Sequence, residues 1–345
     1  MELLRLKCPG CHSADIKYHS PYTTKNYGGR VIYKCEHCPV YFSETKKTLM
    51  EGVKTPVSVI WQVLKARTEG MGFNAAARTF EKAKNTILAW ESKFLALQQV
   101  LFLYALVHEF LEGVIEGDEA YTKVQKNVPP EQSRGWTILL MDRASRFIWA
   151  LDCGKKDRRL FKKAIKTLDK IARQTHDLSI FTDGERRYGN LLFEICYELV
   201  NNGKPGRPKK TFKRGVHVSI KNKGSQVHKK GRKRPKYQRP WREHPETTRT
   251  IAETDIHANH AEAFWSALRR KCATFRRKTN TYAKATTGLQ RLLRVYWVVH
   301  NFLRVHFTIR EGDCSESTGL PPEDVYRKVR VRTFELGGQH DVRSR

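Results

Sequence analysis

The chain has 345 residues and a mass of 40.1 kDa, and its 39% hydrophobic content suits a globular protein with at least one sizeable core, which excludes a disordered chain. Its 65 Lys and Arg against 35 Asp and Glu give a formal net charge of +30, which points to a polyanionic partner: nucleic acid first, an anionic membrane surface as the weaker alternative. No apolar run of ~18 residues exists, because 94–115 is interrupted by Gln98, Gln99, His108, Glu109 and Glu112, so no membrane span is expected.

The first region, 1–50, carries Cys8-Pro-Gly-Cys11 and Cys35-Glu-His-Cys38 with residues 12–34 between them, close to the spacing of a four-cysteine zinc ribbon. Val31, Ile32 and Tyr33 suit its short strands. A redox pair competes, but two pairs are more than such a site needs. His12 or His37 in place of a neighbouring cysteine is a further alternative, disfavoured because four thiolates fill a tetrahedral Zn²⁺ site. MELLRLKCPGC reaches cysteine before any signal-peptide core, so an intracellular protein is expected.

The second region, 55–94, predicts three helices. Pro56 with Val57, Ile60, Trp61 and Leu64 starts the first, and Gly70-Met71-Gly72 ends it. Asn74–Phe80 is short and alanine-rich, and Lys84–Trp90 begins around Asn85 and Thr86. A tight connection and a polar entry to the last helix are what a helix-turn-helix needs to lay Lys84, Asn85 and Thr86 in a major groove, although an ordinary bundle has the same pattern. Residues 95–112, apolar nearly all round, read as a separate connecting helix or a dimer contact.

The third region, 113–310, opens with a strand ending in acid, Val114–Glu119, then a hairpin of Thr137–Met141 and Phe147–Leu151 across Asp142–Ser145, then a helix over 158–173. Leu178–Phe181 follows as a strand, and LSIFTDGERRYGN poses a choice at Asp183-Gly184. Asp-Gly signals a hairpin, but Tyr188, Leu191, Leu192, Ile195 and Leu199 recur at helical spacing, so Asp183 sits at a strand-to-helix junction, where helix-flanked sheets place ligands. Three antiparallel strands, a helix and a further strand with acid at its tip are the element order of a ribonuclease-H-like domain.

Between residues 201 and 250 stand 17 Lys and Arg against two Glu. This basic insertion reads as a solvated, mobile phosphate-binding segment, with Arg207, Lys209, Lys210, Arg232, Lys233 and Arg234 as contacts. Gly206-Arg207-Pro208 also suits minor-groove entry, a minority reading. Beyond it, Glu262 lies off the apolar stripe of Phe264, Trp265 and Leu268, and Arg269 and Arg270 follow as DNA contacts. Asp118, Asp183 and Glu262 are three acids that need a cation to settle them, and hard oxygen ligands favour Mg²⁺ or Mn²⁺. Glu116, Glu119, Asp142 and Asp152 read as bystanders, and His260, His300 and His306 as local hydrogen-bond partners.

In this order, CPGC, CEHC, AAARTFEKAKNTIL, EGDEAY, FTDGERRYGNLLFE and ANHAEAFWSALRRK with RRKTNTYAK resemble the transposases of the smallest bacterial insertion sequences, the IS-one family, in a form close to cyanobacterial members. The likeness runs to about residue 310, leaving 311–345 as a tail, and the DNA-binding and catalytic halves, separate reading frames in part of the family, are continuous here. Ala263 and Phe264 stand where the shortest members carry a basic residue and His. The resemblance implies a zinc ribbon and helix-turn-helix ahead of a ribonuclease-H-like α/β catalytic domain whose triad is Asp118, Asp183 and Glu262. It implies a cut-and-paste or copy-type transposase in the bacterial cytoplasm, associated with the nucleoid. Its partners would be element ends and target DNA, and holding two ends implies a homodimer or larger. A DNA-binding regulator with a decayed catalytic domain and a nuclease without strand transfer are the rival classes.

Overall fold

The computed structural model describes residues 7–302 without 25–27, 44, 47–50, 109–112, 176, 184, 186, 202, 204, 213–216, 223–224, 228–235, 240, 245–251 and 277–280. The described residues divide into two units, one running through Tyr104 and the other beginning at Ala105. His306 and the tail 311–345 lie outside the described residues.

In the first unit, β1 (Ile16–Thr24), β2 (Gly28–Cys35) and β3 (Tyr41–Ser43) form an antiparallel sheet in that order, with Ile16 level with Cys35. The predicted first two helices follow as α1 (Val57–Thr68) and α2 (Phe73–Thr79). Ile60, Val63 and Leu64 of α1, Ala76 of α2 and Ile87, Trp90 and Phe94 of the next helix are buried. An ion pair missed in the sequence ties the three together. Arg67 Nε donates to Glu91 at 2.9 Å, both side chains buried, while Arg67 Nη1 reaches the Met71 carbonyl at 2.5 Å and its guanidinium lies 4.0 Å from the Phe73 ring.

The third helix corrects the sequence reading. α3 runs unbroken from Lys84 to His108, through the boundary expected at residue 94. No Gly or Pro interrupts 84–108, so nothing stops the helix from propagating, and the unit division falls after Tyr104 instead.

The second unit is built on a six-stranded mixed sheet. Its strands in chain order are β4 (Val114–Tyr121), β5 (Trp136–Asp142), β6 (Ile148–Gly154), β7 (Asp177–Thr182), β10 (His217–Asn222) and β13 (Trp241–His244), with α4 (Arg158–Thr175) between β6 and β7. The helix α5 (Arg187–Cys196), the paired strands β8 (Tyr197–Val200) and β9 (Lys209–Phe212), and the paired strands β11 (Ser225–Val227) and β12 (Lys236–Gln238) lie between these along the chain, and α6 (Asn259–Lys271) and α7 (Thr286–Phe302) end it. Strand order is β13-β10-β7-β4-β5-β6; β4, β5 and β6 are antiparallel neighbours, while β7 runs parallel to both β4 and β10.

The free edge at β6 is blunted by α7. Gln290 accepts from Cys153 N at 2.8 Å and donates to Leu151 O at 3.2 Å, Asn301 brackets the Ile148 peptide, and Trp297 Nε1 donates to Ile148 O. Backbone groups left open by the ladder thereby find partners. Asp142 is the predicted turn residue, its Oδ1 accepting from Ser145 N at 2.9 Å and Ser145 Oγ at 3.0 Å, and His300 Nε2 meets Arg146 O at 3.0 Å.

Two further expectations change. The first strand does not end in acid: β4 continues through Glu119 and Ala120 to Tyr121 because β5 pairs with it as far as Trp136. The basic insertion is not a uniformly irregular segment. It supplies β9 to β13, and β10 pairs with β7 over six residues, His217 with Asp177 through Asn222 with Thr182. Long-range pairing overrides a lysine-rich composition here.

Candidate metal centres

Cys8, Cys11, Cys35 and Cys38 bring their four sulfurs within 4.8 Å of one another. Cys8 Sγ is 3.5 Å from Cys38 Sγ, and Cys11 Sγ is 3.4 Å from Cys35 Sγ, close to the ~3.8 Å edge of a tetrahedron with the usual zinc–sulfur bonds. Space is tight at the first knuckle, where a Cβ on Gly10 would lie 3.1 Å from Val40 Cγ2 and require that methyl to move. Burial opposes ionisation of Cys8, yet hydrogen bonds from the Cys11 and Gly10 backbone, with the neighbouring thiols, bring it down to about 6; burial and the Cys8 and Cys11 thiols push Cys38 up to about 12. One thiol of the group thus takes the negative charge easily and another resists it, a polarity that a cation relieves. Neither histidine joins: His37 is turned to Asp15, with Nε2 2.6 Å from Oδ2. The thiol set fits zinc.

The second centre arises from strand register. The last pairs between β4 and β7 are Ile115 with Ile180 and Glu116 with Phe181, so two residues further on Asp118 comes level with Asp183, where the strands part. Among the described residues, carboxylate oxygens of Asp118, Glu119 and Asp183 lie within 4.8 Å of one another. Glu262 stands in the first turn of α6, exposed, and its carboxylate is outside that group. Strand alternation sends neighbouring side chains to opposite faces, so adjacency in the sequence does not by itself place the Glu119 carboxylate with that of Asp118. Only the folded β4 shows it beside Asp118, whose Oδ1 accepts the Glu119 N–H at 2.8 Å.

The Glu119 side chain is 3% exposed, and Lys156 Nζ lies 3.3 Å from its Oε2, 3.4 Å from Glu185 and 4.3 Å from the Trp136 ring centre. Burial first, then the charge of Asp183, pushes Glu119 up to about 7, against Lys156 and Tyr188. Burial and the Glu119 charge raise the Tyr188 phenol well above its ordinary value. The Tyr188 hydroxyl is near enough to act on Glu119, yet it and Glu119 Oε1 are buried without a protein partner in full hydrogen-bond geometry. Three carboxylates, with the Tyr188 hydroxyl beside them, form the hard oxygen donor set that Mg²⁺ or Mn²⁺ takes, and the residues fit such a cation.

A third grouping, Glu116, His257 and His260, has ligand atoms equally close but is already satisfied. Glu116 is fully buried and accepts from Arg143 Nε at 3.0 Å and from the His260 and Ala261 backbone at 3.0 Å each, with His260 Nδ1 at 2.7 Å. Burial opposes its charge, but His260, Ala261 and Arg143 outweigh it and hold the carboxyl below its ordinary range. A guanidinium in the same space leaves no room for a cation. Glu116, read in the sequence as a bystander to the triad acids, is the centre of a hydrogen-bond network of its own. His260 does make the local hydrogen bond expected of it.

The expected DNA contacts fall in several places. Lys84 and Asn85 are exposed and Thr86 half-buried at the start of α3; Arg207, Lys209 and Lys210 are exposed before and within β9. Arg269 and Arg270 sit in the last turn of α6, where positive charge suits the helix dipole, and with Ser266 and Arg276 they line an open hollow. Arg232, Lys233 and Arg234 lie outside the described residues, as does Gly184. Among the described residues no helix is long and apolar enough to cross a membrane. Compared with known proteins, the chain matches no family model and no curated relative.

Proposed function

We propose that the protein is a DNA transposase: the first unit reads element ends, and the second cuts DNA and joins it to a target with divalent cations. The observation that carries this is the parallel β4–β7 register, which levels Asp118 with Asp183 at the point where the strands separate, in a chain of net charge +30. The antiparallel β6-β5-β4 run continued by a parallel β7 supports the ribonuclease-H-like reading. The short link between α2 and α3, with Lys84, Asn85 and Thr86 at the head of α3, supports the helix-turn-helix.

Bound Mg²⁺ would activate the attacking oxygen and stabilise the departing one. The chain's own residues do the rest. Asp118 and Asp183 present oxygens from adjacent strands whose backbones are fixed by pairing, so little reorganisation is needed to hold a cation. Glu119 adds a third carboxylate, with Lys156 balancing its charge. Glu262 is the triad's remaining acid, carried by α6, which packs on β4 and β5. Lys84, Asn85 and Thr86 would read bases, while the lysines and arginines of β9 and the end of α6 hold phosphate.

The test is cleavage and joining of a DNA carrying the element's own ends in Mg²⁺. Wild type should give joined element–target products, and Asp183→Asn should bind the ends but yield neither nicks nor joints. Cleavage without joints would favour the nuclease reading, and specific binding without cleavage the regulator.

A further inference from the structure

The N-cap residue of the helix that carries Glu262 makes no cap: Ala258 stands there with no side-chain hydrogen bond, although the first N–H groups of any helix need acceptors. His257 Nδ1 takes the Asn259 N–H at 3.4 Å, and the acceptor for the next two comes from another element. Glu116 of β4 takes the N–H groups of His260 and Ala261, at 3.0 Å each, on one oxygen, and its other oxygen takes His260 Nδ1 and Arg143 Nε. Arg143 grips the preceding chain from the carbonyl side, with Nη1 2.7 Å from Asp255 O and Nη2 2.7 Å from His257 O, its guanidinium 4.5 Å from the Phe181 ring of β7. One carboxylate thus holds the donors of the first turn, and the guanidinium paired with it holds the acceptors leading in.

We propose that Glu116 and Arg143 are positioning residues: together they clamp the start of α6 to β4 and so set where Glu262 stands relative to Asp118, two residues along the same strand. The role of Glu262 rests on the transposase reading; the clamp itself does not. A buried ion pair of merely structural worth would fasten the fold without bearing on Glu262 in particular. Here the pair has its contacts concentrated on residues 255–261, directly ahead of Glu262, and the fork geometry of arginine is used in full.

Two measurements on the full-length protein decide it, with Glu116→Gln and Arg143→Lys, the latter keeping the ion pair but losing the fork. First, hydrogen exchange of the His260 and Ala261 amides should quicken roughly 10- to 100-fold, as expected for lost bonds to a charged acceptor, while amides of α4 stay at wild-type rates. Second, Glu262→Gln should slow DNA cleavage strongly in the wild-type background but by less than about threefold in the Glu116→Gln background, because Glu262 is already displaced. Wild-type exchange at α6 in both variants, or effects of Glu116→Gln and Glu262→Gln that simply multiply, would overturn the clamp. If wild type itself does not cut DNA, the transposase reading fails and exchange alone decides the clamp; if Glu116→Gln does not fold, Arg143→Lys decides it.

Discussion

Two clusters share the strand β4, and they differ in what their oxygens already hold. Around Glu116 every lone pair of a fully buried carboxylate meets an N–H, from Arg143, His260 or Ala261. Around Asp118, Glu119 and Asp183 the carboxylates crowd one another, and two buried oxygens, Glu119 Oε1 and the Tyr188 hydroxyl, have only one another near, short of full hydrogen-bond geometry. In both groups the potential ligand atoms lie within 4.8 Å of one another. Only the second has capacity left, so the accounting of donors and acceptors, rather than proximity, separates a structural knot from a cation site.

The largest expected effect breaks the comparison at its chemical end. Asp118→Asn and Asp183→Asn should each lower cleavage roughly 10³-fold or more and scarcely worsen one another, because they act as a unit. Mn²⁺ titration of the same proteins should show affinity down roughly 100-fold, whereas His257→Gln should leave Mn²⁺ affinity unchanged. Equal losses from His257→Gln would place a cation in the Glu116 cluster instead. A mild chelator should remove Mn²⁺ while zinc stays with the thiols, and Cys35→Ser should lose the zinc, both read by metal analysis.

At the structural end, Glu116→Ala should destabilise the fold by about 3–5 kcal/mol, since it leaves Arg143 and two helix N–H groups without their acceptor. The sign with pH follows from the lowered pKa. The Glu116 contribution is fully present at pH values above the ordinary carboxylate range and is lost as pH falls through its depressed folded value, so acid should erase the difference between wild type and variant in denaturant melts.

Glu119 should behave in the opposite way. Its folded pKa is raised to about 7 from 4.5, so in metal-free protein its ionisation costs stability as pH rises through that window. Glu119→Gln should therefore stabilise chelator-treated protein at pH 8 by on the order of 2 kcal/mol and make little difference near pH 4. No stabilisation at pH 8 would mean that Lys156 already neutralises the acid. The smallest effect is expected at Gly117, where a Cβ would lie 3.4 Å from Leu140 and from Tyr188 Cζ, an ordinary contact: Gly117→Ala should shift stability by less than about 1 kcal/mol, whereas Gly117→Val should displace the Tyr188 ring and perturb the acid centre.

Much of this was legible in the sequence where the signal is local. The cysteine knuckles, α1, the turn at Asp142, α4 and the junction at Asp183 follow from spacing, Pro56 and short periodic runs. What stayed hidden depends on partners distant in sequence. Glu116 meets His260 across more than a hundred residues, and nothing in EGDEAY tells that its first acid faces a helix start while its third joins its second. β10 becomes a strand because β7 is there to pair with it. α3 outran its expected end for a different reason: a continuous run without a breaker carries no mark at the place where one unit gives way to the next.

That pairing of β10 changes what the basic insertion is. A lysine-rich stretch in a sequence invites trimming, as if it were a tail, but β10 lies between β13 and β7, inside the sheet that bears Asp183. Excising it would leave β7 with a bare edge of unpaired peptide groups, an invitation to pair with another chain. The charge and the scaffold are therefore inseparable by deletion here and separable by substitution: exchanging Lys209 and Lys210 for glutamine removes two positive charges while β10 stays paired with β7. Natural variation in the length of this segment, on the same logic, belongs in the connections between its strands and not in β10.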